Sequence, residues 1–255
     1  MNGTDRKMPE DKPDYLGHRQ RLRTRFLATE GKDMPDYEFL EFLLTMSIPR
    51  RDVKPLAKQL IKKFGSFAGV VNAESKELLA FSGFKESSLA LLKAVREATL
   101  RVQWQNLNAE DGHLLNNWDL VVDYCRSKIG YGKIEQFMIV YLNSKLILLG
   151  NEIQQRGSLN HVSIHPREVI KSAIERGAGA IVIAHNHPSG VVKPSQQDIA
   201  VTKMIWEAGK LVDIDLLDHL IVSRDNVFSF ARDGLIPSSE QTQTPKQQRK
   251  QKCKK

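Results

Sequence analysis

Apolar residues recur at helical spacing through the first hundred residues of the chain. One buried helical face is indicated by four of them, Phe39, Leu40, Leu43 and Leu44. Asp36 is a candidate N-cap for that helix. No strand pattern of any length interrupts this half. We therefore expect an all-helical domain over residues 15–105, preceded by a disordered lead over residues 1–14.

Three further helices complete the predicted helical domain. Asp52 is a candidate N-cap for a helix that ends at Gly65. The inward positions of this helix are Leu56, Leu60, Ile61 and Phe64. Ser75 is a candidate N-cap for a short helix, and a long amphipathic helix follows over about residues 85–104.

The pattern changes after a polar segment over residues 106–115, which we interpret as a linker. A hairpin is predicted by two β-rich runs, residues 136–142 and 146–153. Residues 180–184 are wholly apolar, as expected of a central strand covered on both faces. Helical patterns alternate with the strands, so we expect a layered α/β domain over residues 116–237.

The net charge of +8 is concentrated at one end of the chain. Residues 238–255 carry +5 by themselves and include no large apolar side chain, so we expect a disordered basic tail. A second basic cluster consists of four arginines, Arg19, Arg21, Arg23 and Arg25. Both segments can contact phosphates without reading base sequence. They are equally well explained as a solubilising tail and a solvated helix face.

Cysteine usage and the lengths of the apolar runs restrict the class of protein. Cys125 and Cys253 are the only cysteines, which excludes a disulfide framework and a cysteine-rich zinc finger. The longest apolar runs are far shorter than a membrane span, and the first residues show no apolar signal segment. We therefore expect a reduced, soluble, cytoplasmic protein with no membrane partner.

The strongest candidate chemistry lies where the apolar run 180–184 breaks into a Pro- and Gly-containing loop. His185 and His187 are two residues apart and point the same way from an extended segment. Asp198 follows eleven residues later, in the first turn of the next predicted helix. Two imidazole nitrogens and one carboxylate oxygen, with a fourth position open to water, are typical of catalytic zinc.

Each part of this pattern also has a structural explanation. Two histidines around one residue seldom bind metal by themselves, and Ser195 with Asp198 equally forms a capping box. The combination favours a metal site, because His-x-His-Pro-x-Gly followed by Ser-x-x-Asp is hard to produce from packing requirements alone. Other zinc chemistries fail, since neither a His-Glu-x-x-His motif nor the cysteine pair of a deaminase is present.

These residues match a known signature. The pattern H-x-H-x(7)-S-x-x-D of JAMM (MPN+) metalloproteases is met by His185, His187, Ser195 and Asp198. The chain over roughly residues 15–237 resembles the bacterial RadC family through AHNHPSG, PSQQD, HPREV and LLDHLIV. The resemblance implies a JAMM/MPN-type fold in which the two histidines and the aspartate bind Zn²⁺. It also implies that Ser195 helps to hold the water or the reacting oxyanion.

The resemblance further implies a glutamate that acts as general base. The match falls on Glu152, in GNEIQQRG, at the end of a predicted strand from which it can reach across the sheet. A carboxylate placed there accepts a proton from water and returns it to a leaving amine. The alternative is a glutamate in solvent at a strand edge.

Three other histidines require an interpretation. His161 and His165 have no carboxylate at matching spacing, so we interpret them as structural or surface residues. The pair Asp218-His219 also occurs in RadC-like sequences. We expect it to support the ligands or the sheet rather than to bind the metal directly.

The segment Ser82-Gly83-Phe84 resembles the turn of the helix-hairpin-helix found in RadC relatives. Such a turn presents backbone N–H groups to a phosphate. Gly83 and Phe84 fit the pattern, but Lys85 stands where a second glycine is expected. We therefore favour a plain helical hairpin over a phosphate site.

The sequence thus predicts a zinc-dependent JAMM-type hydrolase that cleaves an amide or isopeptide bond in a peptide or protein. The alternative is a non-enzymatic, DNA-associated protein that uses the helical half and the tail for weak, non-specific nucleic acid binding. The intact ligand set with a glutamate base favours the enzyme, because a scaffold needs neither. The scissile bond and the oligomeric state stay open.

Overall fold

The structure is a computed structural model that describes residues 14–107, 118–156 and 164–236. The predicted lead, linker and tail lie almost entirely outside these residues, as do His161 and Cys253. None of the described helices is long and apolar enough to cross a membrane. The chain divides into two compact units between Ala98 and Thr99, and each unit is described by itself.

The first unit is built from helices over its described residues, as the sequence predicts. Its elements are α1 (Asp14–Thr29), α2 (Asp36–Ser47), α3 (Lys54–Phe64), α4 (Phe67–Asn72), α5 (Ser75–Leu79) and the first part of α6 (Glu86–Leu107). The predicted stripe of α2 faces inward. Leu40 and Leu44 pack with Leu56 and Leu60 of α3 and with Leu92 of α6 in one core.

The helix ends follow the predictions only in part. α3 ends at Gly65, whose φ of 84° suits glycine. Two predicted N-caps are wrong, those at Asp36 and Ser75. Asp52 lies one residue before the N-cap position of α3, but its carboxylate accepts a hydrogen bond from the first backbone N–H of that helix, that of Lys54, at 2.9 Å. The N-cap positions of α2, α3 and α5 are instead Pro35, Val53 and Glu74. Asp36 accepts a hydrogen bond from the first backbone N–H of α4 at 2.7 Å, so its carboxylate joins two helices.

Two of the four N-terminal arginines hold helices of the first unit together. Arg19 donates at 2.8 Å to the backbone carbonyl of the residue that follows α2, at a helix end where carbonyls need donors. Arg25 donates to Glu38 of α2 at 2.6 Å. Arg21 and Arg23 are exposed to solvent. Two arginines of the predicted basic cluster, Arg19 and Arg25, therefore stabilise the packing of the helices.

The turn that resembles a helix-hairpin-helix joins α5 to α6. Gly83 has a φ of 85°, which L side chains rarely adopt, and Phe84 is buried in the helical core. The guanidinium of Arg51 lies so close to Gly83 that a Cβ at this position would overlap it. An arginine side chain thus packs directly on the turn.

The second unit is a layered α/β domain, which confirms the predicted fold class. Its elements are the rest of α6, α7 (Trp118–Ile129), β1 (Gln136–Leu142), β2 (Leu148–Arg156), α8 (Pro166–Glu175), β3 (Ala180–Asn186), α9 (Gln196–Lys210), β4 (Asp215–Val222) and β5 (Val227–Ser229). The strands form one sheet in the order β2-β1-β3-β4-β5. β3 and β4 are parallel, and the other neighbouring pairs are antiparallel.

Side chains of the central strands alternate between two cores. Met138 and Val182 face a core that includes α7 and the end of α6. Ile139 and Ile183 face a second core that includes α8 and α9. β3 is buried along its whole length, as predicted for a strand covered on both faces. His185 follows Ile183 by two residues and therefore lies on the side of α8 and α9.

Candidate metal centre

The end of β3 carries the two predicted histidine ligands. Because successive side chains of a strand point to opposite faces, His185 and His187 lie on one face and Asn186 on the other. The buried amide of Asn186 donates to the carbonyl of Gly132 at 3.1 Å and accepts from the backbone N–H of Gln136 at 2.7 Å. These bonds fix the residue between the two histidines, and with it the end of the strand.

α9 brings the predicted aspartate to the same place. Ser195 is its N-cap, and Asp198 is at N3. Ser195 Oγ accepts from the Asp198 N–H at 3.1 Å, and Asp198 Oδ2 accepts from the Ser195 N–H at 2.7 Å. The capping box therefore orients the carboxylate, and its other oxygen, Oδ1, lies towards His185. The structural and the metal-binding explanations of this pattern are compatible.

The three predicted ligands converge. The Nε2 atoms of His185 and His187 are 3.0 Å apart. Asp198 Oδ1 lies 3.4 Å from His185 Nε2, and Oδ2 lies 3.9 Å from His187 Nε2. Within the described residues this is the one group of three or more His, Cys, Asp or Glu side chains close enough to share an ion. Two ligands about 2.1 Å from a tetrahedral zinc ion lie roughly 3.4 Å apart, so one ion can reach all three.

Both rings are oriented through their second nitrogen. Nδ1 of His187 lies 2.7 Å from the carbonyl oxygen of Val191. A carbonyl only accepts, so this nitrogen carries the hydrogen and Nε2 is bare in the neutral ring. Nδ1 of His185 faces His219 at 2.8 Å. Burial lowers the pKa of His185 to about 4, although the Asp198 carboxylate opposes this shift. Neutral imidazole is the form that binds metals.

The chemistry of the donors fits zinc. Two imidazoles with one carboxylate suit zinc, whereas calcium and magnesium prefer oxygen ligands. Cys125 is not a rival ligand, since it is a residue of α7 that is fully buried in the core on that side of the sheet. Burial raises the pKa of its thiol to about 12, which keeps it protonated and unreactive.

Ser195, predicted to assist catalysis, lies next to the cluster. Its hydroxyl donates to Asp198 Oδ2 at 2.6 Å. The same hydroxyl oxygen accepts from the Asp198 backbone N–H. The side chain is therefore within reach of the predicted metal ligands, and its hydrogen is directed at one of them.

Glu152, the predicted general base, lies in a different polar cluster. It is on β2, opposite Ile139 of β1. Its carboxylate accepts from the hydroxyls of Tyr141 and Ser172, both at 2.6 Å, and pairs with Arg176. Burial acts to raise the pKa of Glu152, but hydrogen bonds from these three residues outweigh it and lower the pKa. The structure does not bring Glu152 into the group of three predicted ligands, His185, His187 and Asp198, which we call the ligand group. Its role as base stays a prediction.

Asp218 and His219 make contacts in different directions from β4. Asp218 accepts from the Ser229 hydroxyl and from the backbone N–H of Ala231 at 2.9 Å, which ties β4 to β5 and the turn after it. Burial raises the pKa of Asp218 to about 6 despite these bonds. His219 contacts His185. Neither residue belongs to the ligand group.

Sequence reasoning missed four polar residues that contact the predicted ones, Tyr141, Ser172, Arg176 and Thr202. Thr202 lies one helical turn after Asp198, and this spacing of four could have placed both on one side of α9. The other three gave no signal, because their common partner, Glu152, is distant from them in sequence.

Similarity to known proteins extends over most of the chain. A family model described as RadC-like JAB domain matches residues 115–235. A UPF0758 protein from Ruegeria pomeroyi is 39% identical over 225 residues, which are 88% of this chain and 100% of the relative. The chain belongs to the RadC family. A UPF0758 protein from Rhodobacter capsulatus is 40% identical over 215 residues, 84% of this chain and 100% of the relative. This match is too long for the JAB domain alone, so the similarity to this relative extends into the helical unit. The JAB superfamily includes JAMM metalloproteases.

Proposed function

We propose that this RadC protein is a zinc-dependent JAMM-type hydrolase that cleaves an amide or isopeptide bond in a cytoplasmic peptide or protein. The observation that carries the proposal is the 3.0 Å separation of the His185 and His187 Nε2 atoms, with Asp198 Oδ1 at 3.4 Å. His187 Nε2 is bare because Nδ1 of that ring carries the hydrogen, and a second bare imidazole nitrogen at this distance repels it unless a metal ion or a hydrogen lies between the two. Membership of a superfamily with JAMM metalloproteases supports hydrolysis as the use of the site.

When bound, zinc supplies a Lewis acid for the scissile carbonyl and makes water more acidic. The residues of the chain would stabilise the oxyanion and transfer the proton. Ser195 turns its hydroxyl hydrogen from Asp198 towards the developing oxyanion. Glu152 accepts a proton from the attacking water and returns it to the leaving amine.

For Glu152 to act as the base, at least one of its present hydrogen bonds has to be replaced. Its carboxylate is held by Tyr141, Ser172 and Arg176. To act as a base it exchanges at least one of these bonds for a contact with water. The pKa of Glu152, lowered by the three hydrogen bonds against the effect of burial, keeps the carboxylate ionised and able to accept a proton at neutral pH.

Metal analysis of the full chain, purified without chelators, tests the metal site. We expect about one zinc per chain, because three ligands of the right type converge. His187→Ala should lose it. His165→Ala is the matched control, since His165 is an exposed histidine outside the ligand group. Absence of zinc from the wild type, or its retention in the His187 variant, would contradict the ligand assignment.

Cleavage of a peptide library and of isopeptide-linked peptides, followed by mass spectrometry, tests the reaction. We expect products that a chelator abolishes and added zinc restores. The His165 control should cleave as the wild type does. Zinc-loaded protein that cleaves neither type of bond, or cleavage that survives complete removal of zinc, would refute the hydrolase.

The DNA-associated alternative is less well supported in the helical unit. Arg19 and Arg25 are engaged in helix packing, and the Arg51 guanidinium packs on the turn at Gly83. These contacts leave the basic tail, outside the described residues, as the principal candidate for nucleic acid binding.

A further inference from the structure

A line of buried polar groups runs behind His185, away from the ligand group. Nδ1 of His185 lies 2.8 Å from Nε2 of His219, and Nδ1 of His219 lies 2.6 Å from Oγ1 of Thr202. This hydroxyl lies 2.5 Å from the backbone carbonyl oxygen of Asp198. His185, His219 and Thr202 are 3%, 0% and 1% exposed. Water does not compete at such sites, so each donor has to meet an acceptor within the line.

The carbonyl at one end sets the direction of every hydrogen bond. A carbonyl oxygen only accepts, so the single hydroxyl hydrogen of Thr202 points to Asp198. Thr202 Oγ1 then accepts from His219, which places the hydrogen of that ring on Nδ1. Nε2 of His219 is bare and accepts from Nδ1–H of His185. The remaining nitrogen of His185, Nε2, is left bare among the ligands.

Other arrangements of the hydrogens leave a mismatch. The reversed line would put two oxygens, those of Thr202 and the Asp198 carbonyl, 2.5 Å apart with no hydrogen between them. A doubly protonated His219 would be a cation stacked on the Phe230 ring, with ring centroids 4.6 Å apart, in a fully buried position. Burial of an unpaired charge is strongly unfavourable.

We propose that Thr202 and His219 are positioning residues that keep the hydrogen of His185 on Nδ1 and its bare Nε2 turned to the metal. This inference rests on the metal site of the proposed function. Thr202 is on α9 and His219 is on β4, so the same bonds also tie α9 to β4 and β4 to β3. His187 obtains the equivalent support from a backbone carbonyl, that of Val191.

Two variants each break a different hydrogen bond of this line. Thr202→Val keeps the shape of the side chain but removes the acceptor for His219. His219→Phe keeps an aromatic ring against Phe230 but removes the acceptor for His185. Each should weaken zinc binding about 10- to 100-fold, the usual effect of removing the partner of a metal-binding histidine. Thr202→Ser keeps the hydroxyl, and its zinc affinity should stay within about threefold of the wild type.

Competition titrations of zinc against a chelator, on the full chain, measure these affinities. In the double variant the Thr202 change should add nothing to the His219 change, because threonine acts only through the histidine. Additive losses would show two independent structural effects and would overturn the proposed positioning role of Thr202 and His219. Tryptophan fluorescence, which reports on the second unit alone, checks that each variant is folded.

Nitrogen-15 NMR of the zinc-loaded wild type tests the proton positions without any variant. We expect the hydrogen on Nδ1 in both His185 and His219. A hydrogen on Nε2 of His219 would overturn the proposal even if zinc is bound. If the wild type binds no zinc, the proposed function fails as well. If the wild type binds zinc and Thr202→Val binds it equally tightly, the metal site stands and only the positioning role of Thr202 and His219 is wrong.

Discussion

Glu152 shares its carboxylate among a tyrosine, a serine and an arginine. Glu152→Gln keeps the size of the side chain but cannot accept a proton. We expect unchanged zinc content, since Glu152 is outside the ligand group, and hydrolysis slower by about 10²- to 10⁴-fold. Metal analysis and rates measured on the same preparation check both. Loss of zinc would make Glu152 a ligand, and an unchanged rate would assign the base to another residue.

Arg176 offers a second test of the same base. Its hydrogen bond and charge help to lower the pKa of Glu152. Arg176→Gln removes the charge and the guanidinium donor, so the pKa of Glu152 rises and the acid limb of kcat/KM should move to higher pH. Arg167→Gln is the matched control, because Arg167 is an exposed arginine in the first turn of α8, the helix that Arg176 follows, and it lies beside Glu168. An acid limb that does not move would separate Glu152 from the titrating base.

Buried neutral histidines should make the metal-free second unit less stable in mild acid. Burial lowers the pKa of His185 to about 4 and lowers that of His219 as well, whereas an unfolded histidine titrates near pH ~6.5. Below that pH the unfolded chain binds protons that the folded chain does not. The free energy of unfolding therefore falls by up to about 1.4 kcal/mol per pH unit for each histidine.

Asp218 contributes with the opposite sign. Burial raises its pKa to about 6, so the stability it contributes grows as pH falls through 6 and offsets part of the loss. The range from pH ~7.5 to ~5.5 is therefore the informative one. Urea unfolding in chelator, followed by the fluorescence of Trp104, Trp118 and Trp206, reports on this unit alone. Stability that stays constant or rises over this range would contradict the buried neutral state.

At the scale of the element, the close junction between α9 and β4 depends on a glycine. A Cβ at Gly209 would overlap the backbone carbonyl oxygen of Ile214. Gly209→Ala should therefore destabilise the second unit by about 1–3 kcal/mol. Gly150→Ala is the matched control, since a Cβ there meets nothing within 4 Å, and its effect should stay within about 0.5 kcal/mol. Equal urea midpoints for the two variants would contradict this account.

Helices and central strands were predictable where burial decides them. The stripe of α2 and the apolar run of β3 each have one way to bury their side chains. Helix starts were less predictable, because a short polar side chain has several partners to choose from. Asp36 bonds to α4 rather than to its own helix. β5, with three residues, is too short to show a period.

The candidate site was predictable to the extent that it is local in sequence. His185 and His187 share a strand end, and Asp198 is brought to them by its own capping box. The bonds of Glu152 and the contact between His219 and Thr202 depend on sheet register and on how α8 and α9 pack. No spacing along the chain carries that information.

At the scale of the whole molecule, the change of pattern along the chain separates a helical half from an α/β half. The boundary between the compact units lies within α6, between Ala98 and Thr99. Leu100, Trp104 and Leu107 of this helix pack in the core of the second unit. A helix that is amphipathic along its length does not reveal which unit each turn joins.

Charge at the scale of the whole chain leads to the last prediction. Residues 238–255 carry +5 of the net +8, whereas Arg19 and Arg25 already bind partners within the helical unit. We therefore expect any DNA binding to be independent of sequence and to weaken steeply with salt. Each neutralised phosphate should contribute about −0.9 to the slope of log affinity against log salt.

Deleting residues 238–255 should flatten that salt dependence and leave zinc content and hydrolysis unchanged, because His185, His187 and Asp198 all lie within residues 185–198, far from the tail in sequence. Anisotropy titrations with duplex DNA at several salt concentrations measure the slope. The double variant Arg21→Gln/Arg23→Gln is the matched control, since it removes exposed charge from the helical unit instead. If the control flattens the slope and the deletion does not, the contact belongs to α1. Absence of binding by the full chain at low salt would leave the tail without a nucleic acid role.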